Sequence, residues 1–172
     1  MPLPPYLSII SADITKRPVD AVVNAANTHL AGGSGVDGAI HKAAGAQELQ
    51  IACRTLGGCP RGEAKATLGF ALKAKWIIHA VGPQWQGGNE GEPSLLASAY
   101  RRSLEVAADL RCRSIAFPAI SCGVYGYPLK EAAQISRRTI EKFQAGPGAL
   151  ERIELVFIDE ELLAITEQAW AQ

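Results

Sequence analysis

The chain has 172 residues, of which 48% are hydrophobic and 20% charged, the proportions of a folded domain and not of a disordered or collagen-like chain. That length suits one domain over residues 1–172, burying roughly two-thirds or more of the surface its unfolded chain exposes. Seventeen Lys and Arg balance seventeen Asp and Glu, so no net positive field draws the protein to nucleic acid or an anionic lipid surface, and any anion it binds must be held locally.

In chain order, the first predicted element is a strand from Tyr6 to Ile10, short, apolar and rich in branched residues. Asp13 follows it, placed either to accept hydrogen bonds from an exocyclic amine or to close an Asx-turn ahead of Pro18. A second strand, Ala21 to Val23, runs into the densest stretch of the chain, NAANTHLAGGSGVDGAIH from Asn24 to His41. It passes Gly32, Gly33, Ser34 and Gly35 and enters a helix near Asp37, a succession in which backbone N–H groups and a helix N-terminus suit phosphate. The loop lacks both the G-x-G-x-x-G fingerprint and the P-loop lysine, and a tight turn accounts for its glycines equally well.

Asn27 and Asp37 flank this loop. Together they suit the positioning of a water, the amide orienting it and the carboxylate accepting its proton; the alternatives are a turn asparagine and an N-cap aspartate. Asn24, at the strand end, reads as structural. Val36 to Ile51 carries a weak helical pattern that includes His41, read as a hydrogen-bonded structural histidine.

Trp76 to Val81 is the third predicted strand, and His79 within it reads as a core histidine. Gln84 to Pro93 is the most loop-like segment. Leu96, Tyr100, Leu104, Ala107 and Leu110 then mark a helix begun near Pro93 and Ser94. The strand Ser114 to Pro118 leads into a second small-residue loop, Ser121 to Gly126, whose Ser121, Gly123 and Gly126 suit a further ring of donors. There Tyr125 either covers a ribose or packs on the protein, and Cys122, near a helix start but with no partner base, reads as loop structure. Leu129, Ala133, Ser136, Ile140 and Phe143 trace the next helix, Ile153 to Ile158 the last strand, and Glu160 to Trp170 a weak final helix.

Alternating strands and helices predict a three-layer α/β fold with a mixed or parallel sheet and a ligand site beyond the strand C-termini. No apolar run reaches the roughly 20 residues of a membrane span, and MPLPPYLSII lacks the features of a signal peptide, so a cytoplasmic protein is expected. Its four cysteines form no C-x-x-C pair, and neither they nor the three histidines show close zinc-ligand spacing; no metal or cofactor is expected.

Five segments in order carry a resemblance: ADIT (12–15), VVNAANTHLAGGSGVDGAIHKAAG (22–45), GEAKAT (62–67), IIHAVGPQW (77–85) and FPAISCGVYGYP (117–128). On these residues the chain resembles the macrodomain family, specifically its MacroD-type branch of O-acetyl-ADP-ribose deacetylases and mono-ADP-ribosyl hydrolases. The resemblance implies an α/β/α macrodomain fold with a central mixed, largely parallel sheet. It also implies a cleft for ADP-ribose and its O-acetyl or protein-linked derivatives, ADP-ribosylated proteins among them. Asp13 and the Ile14 backbone would recognise adenine, and Asn24 would lie at the ligand site. The Gly33, Ser34, Gly35, Val36 loop and the Ser121, Cys122, Gly123, Val124, Tyr125 loop would enclose the diphosphate and distal ribose.

By the same resemblance Asn27 and Asp37 occupy catalytic positions, for attack of water on an ester at the distal ribose. A non-catalytic ADP-ribose reader and an ADP-ribose 1″-phosphatase are the alternatives. Two departures stand out: Ala12 replaces a glycine common before the adenine-binding aspartate, and Ser34 interrupts a run often made of four glycines, which requires that its φ be negative. An aromatic or apolar contact to adenine falls to Phe157 or Ile158 according to strand phase.

Overall fold

The computed structural model describes residues 2–172. Six strands, β1 (Leu7–Ser11), β2 (Ala21–Ala25), β3 (Ala64–Leu68), β4 (Trp76–Ala80), β5 (Ser114–Phe117) and β6 (Arg152–Phe157), form one sheet in the order β1-β6-β5-β2-β4-β3. All neighbours are parallel except β3 and β4. Five α-helices are found among the described residues: α1 (Gly35–Ala44), α2 (Ala46–Leu56), α3 (Glu92–Asp109), α4 (Leu129–Gln144) and α5 (Glu160–Ala171).

The period of two along each strand divides the core between the sheet's faces. Val22, Ile77, Ala116 and Val156 face Ile40, Leu49 and Cys53 of α1 and α2. Val23, Ile78, Ile115 and Leu155 face Leu96, Leu104, Ile140 and Trp170 of α3, α4 and α5. Both faces are covered, so the central strands read as continuous apolar runs, and the expected three-layer α/β/α architecture is the one observed.

Three elements differ from the sequence reading. β3 was not foreseen; it is an edge strand in which Lys65 and Thr67 interrupt the apolar residues. β2 runs on to Ala25, which puts Asn24 inside the sheet and not at its end. The single helix expected over Val36 to Ile51 is two, broken at Gly45, whose φ of 107° favours glycine and ends α1. No helix among the described residues is long and apolar enough to cross a membrane.

Candidate active site

Because β2 and β5 are parallel neighbours, the loops that leave their C-terminal ends emerge side by side. Between them lies a cavity of about 340 Å³. One wall is Asn27 with Gly33, Ser34, Gly35, Val36 and Asp37; the other is Ala119 to Ser121 with Gly123, Val124 and Tyr125. Gly35 and Val36 open α1, so its N-terminus and dipole face the cavity. Among the described residues no protein acceptor takes the N–H groups of Gly33, Ser34, Gly35 and Val36, or those of Gly123, Val124 and Tyr125. Among the described residues no Lys or Arg lines the cavity, and Asp37 is its one carboxylate. The site therefore suits an anion held by neutral main-chain donors.

The loop backbones are shaped for this. Gly32 and Gly35 adopt φ of 80° and 60°, while Ser34 has φ of −99°, so its side chain is accommodated without strain. Ser34 is also the residue at the N-cap of α1, which places Asp37 in the first turn of that helix and rules out the capping role considered for it. On the opposite wall Ser121 sits at φ of 68°, and its buried hydroxyl has no hydrogen-bond partner among the described residues. Gly82 permits that conformation, since a Cβ there would stand 2.2 Å from Ser121 Oγ.

Asp37 is buried to 7% exposure. Its Oδ1 accepts a hydrogen bond from Asn24 Nδ2 at 2.8 Å and lies 3.0 Å from His41 Nδ1. His41 Nδ1 also bonds the Asp37 carbonyl at 3.0 Å. Gln50 Nε2 donates to Leu30 O at 3.2 Å and to His41 Nε2 at 3.0 Å, so the His41 proton sits on Nδ1 and points at Asp37. Oδ1 is thus held from two sides. Oδ2 lies toward Gly33, where an added Cβ would approach it to 3.4 Å, and is the oxygen left for a ligand or water.

Asn24, placed among the ligand contacts by resemblance, has 0% exposure and supports Asp37 from beneath. Asn27 lines the cavity but staples its own loop, donating from Nδ2 to Gly32 O (3.0 Å) and accepting at Oδ1 from Ala31 N (3.1 Å). Cys122 turns away from the cavity toward Phe157 and Leu162, and burial pushes its thiol pKa up to about 12, which removes it as a nucleophile. Val124 is 90% exposed at the cavity rim.

Asp13, Ile14, Phe157 and Ile158 do not line this cavity; they lie along the same sheet edge, Phe157 as the last residue of β6 and the others just past the ends of β1 and β6. Asp13 caps a 3-10 helix, Ile14–Lys16, by accepting from Thr15 N (3.0 Å) and Thr15 Oγ1 (2.7 Å). The Thr15 hydroxyl bond, opposed by burial and helped by the Thr15 amide, holds its carboxyl below the usual range. The Ile14 side chain is buried, and its N–H opens the short helix with no intrahelical acceptor. Arg17 ties this segment to β6 through Glu154, at 2.8 and 3.1 Å. Strand phase is now fixed: Phe157 is buried on the α3–α5 side, whereas Ile158 is exposed.

A third loop buttresses the second wall. The buried Glu92 carboxylate accepts from the N–H groups of Gln86 (2.8 Å), Gly88 (2.9 Å) and Glu90 (2.7 Å). Trp85, at the root of that loop, packs on Tyr127 with ring centroids 4.8 Å apart and donates its main-chain N–H to Tyr125 O at 2.8 Å. Burial alone would raise the Glu92 pKa, but bonds from its own N–H and those of Gln86, Gly88 and Glu90 outweigh it and hold the value down to about 2. A carboxyl lowered on folding stabilises above its ordinary pKa of 4.5 and loses that contribution as pH falls toward 2. Glu92→Gln is therefore expected to lower Tm at pH 7. In a pH series of thermal melts, the gap to the parent closes between pH 4.5 and 2; a gap that does not narrow there contradicts the assignment.

Sequence reasoning treated His41 and His79 as structural and did not connect them to Asp37; it passed over Gln50, Thr67 and Glu92. The four-residue spacing of Asp37 and His41 on one helix face was the available signal for that pair.

The Macro domain family model matches residues 23–136. A "Macro domain-containing protein" from Chlorobaculum tepidum is 51% identical over 99% of both chains. A protein named O-acetyl-ADP-ribose deacetylase from Klebsiella pneumoniae is 52% identical over 91% of both. A mutant of the Oceanobacillus iheyensis macrodomain, solved with ADPR, superposes with a TM-score of 0.88 at 43% identity, covering 95% of this chain and 90% of that one.

Proposed function

We propose, from the premise that this chain belongs to the macrodomain family, that its cleft binds ADP-ribose and that the protein hydrolyses esters at the distal ribose. Its substrates would be O-acetyl-ADP-ribose, acidic side chains carrying mono-ADP-ribose, or both. One observation carries the reading: two loops present free N–H groups to a single cavity whose only carboxylate is the buried Asp37. The diphosphate lies between the loops and is held by main-chain dipoles, in keeping with a net charge of zero. Adenine extends along the sheet edge toward Asp13 and Ile158.

With the diphosphate fixed, the ester on the distal ribose is brought to Asp37. Water, oriented by Asp37 Oδ2, attacks the acyl carbon; the new C–O bond forms, the bond to the ribose oxygen breaks, and that oxygen leaves as a hydroxyl. The proton of the attacking water goes to Asp37 or to a diphosphate oxygen and from there to the departing ribose oxygen, which restores the base. Asn27 keeps the first loop closed and offers its remaining N–H to the ribose.

The purified protein should be incubated with O-acetyl-ADP-ribose, with a glutamate-linked ADP-ribosylated protein and with ADP-ribose 1″-phosphate, following acetate, ADP-ribose and phosphate. Release of acetate or of ADP-ribose from the ester substrates, without phosphate release, is expected. Calorimetric binding of ADP-ribose with no turnover of any of the three makes the protein a reader, phosphate release alone makes it a phosphatase, and absence of affinity ends the assignment of the cleft.

A further inference from the structure

Asn24 and His79 are paired in the register of β2 and β4, and both point to the face covered by α1 and α2. Thr67, on the neighbouring β3, reaches the same imidazole. These residues form a chain of hydrogen bonds that ends on Asp37, and its polarity follows from donor and acceptor rules. Asp37 Oδ1 can only accept, so Asn24 turns Nδ2 to it at 2.8 Å, and the second hydrogen of the same group points to His79 Nδ1 at 3.2 Å. Nδ1 is therefore the acceptor and the His79 proton sits on Nε2, where Thr67 Oγ1, 3.0 Å away, accepts it while donating its own proton to Leu68 O at 3.1 Å. An imidazole with its proton on Nδ1 would instead draw the Asn24 carbonyl toward itself and break this pairing.

We infer that His79, fixed in one tautomer by Thr67, is a positioning residue for the reaction proposed above: it forces Asn24 to present N–H and not C=O to Asp37 Oδ1, leaving Oδ2 to the cleft. The inference rests on the hydrolase reading of that cleft. His79 has 0% exposure, does not line the cleft and lies beneath Asn24. The groups around the ring are Asn24, Thr67, the Cys53 thiol at 3.8 Å from Nε2, and His41 with ring centroids 6.5 Å apart. Burial, reinforced by His41, lowers its pKa to about 3, so the neutral ring needed for an acceptor nitrogen persists through the working range.

Thr67→Val tests this with little change of shape, because it removes the hydroxyl that fixes the tautomer and leaves His79, Asn24 and Asp37 in place. Three readouts are needed: ¹⁵N chemical shifts of the His79 ring, affinity for ADP-ribose by calorimetry, and kcat and KM on O-acetyl-ADP-ribose. The parent protein is expected to show a neutral ring protonated on Nε2. Thr67→Val is expected to show mixed tautomers and a kcat lowered about 10-fold or more, with KM and ADP-ribose affinity within about twofold of the parent. Thr67→Ser, which keeps the hydroxyl, recovers most of the lost kcat. A parent ring protonated on Nδ1, or Thr67→Val at full kcat beside an active parent, overturns this inference alone. A parent that turns over no ester overturns the hydrolase reading and this inference with it.

Discussion

Asp37→Asn is expected to cut ester hydrolysis by about 10²- to 10⁴-fold in kcat, the range supplied by a positioned general base, while ADP-ribose affinity stays within several-fold of the parent. The amide keeps the shape of the carboxylate, and its oxygen still accepts from Asn24 Nδ2, now 2.8 Å from Asp37 Oδ1. What it loses is the negative charge and the proton-accepting capacity of the oxygen facing the cleft. Alanine is a poorer test: it leaves the buried Asn24 N–H without its acceptor, which costs about 1–3 kcal/mol and confuses loss of chemistry with loss of stability. Binding survives in Asp37→Asn because the free N–H groups of the two loops hold the diphosphate independently of the carboxylate, and removing a negative charge beside that anion weakens nothing. Acetate release with O-acetyl-ADP-ribose, measured beside calorimetry with ADP-ribose, separates the two effects. Unchanged turnover removes Asp37 from the mechanism; lost binding with normal folding shows that the carboxylate holds the ligand.

The parts of this molecule that were legible in the sequence are those whose physics is local. The central strands are covered on both faces and so appear as short apolar runs; β3 pairs on one side only and mixes Lys65 and Thr67 into its five residues, which hides it. The cleft loops announce themselves through small residues and through the family resemblance. Their supports do not. Asn24 and His79 stand 55 positions apart and meet only because β2 and β4 pair in one register, so that a histidine in an apolar run looks like filler. Gly45 left the helical period from Val36 to Ile51 almost unbroken, yet its φ divides that stretch in two. At the last strand, one residue of phase decided which side chain is exposed, and it is Ile158.

The same separation of local preference from tertiary contact makes Gly38→Ala the second large effect. Inside a helix this change normally stabilises by about 1 kcal/mol, because alanine has the better helix propensity. Gly38 is the fourth residue of α1, and there a Cβ would stand 2.6 Å from the carbonyl oxygen of Gly33, closer than real carbon atoms approach. That oxygen belongs to main chain and cannot swing aside as a flexible side chain does. Either α1 shifts, which moves Asp37, or the first loop shifts, which moves the N–H groups of Gly33 to Val36 away from the diphosphate. The expected cost is about 1–3 kcal/mol of stability, or roughly 2–10 °C in Tm for a chain of this size, together with a tenfold or greater loss of ADP-ribose affinity. Gly35→Ala is the control for stability: its Cβ meets no protein atom within 4 Å, so its cost to folding is confined to the strain of a φ of 60°. Thermal melts of both variants, with calorimetry of Gly38→Ala, decide the matter. A Gly38→Ala protein that gains stability and binds normally shows that the loop is not held against α1 at this point.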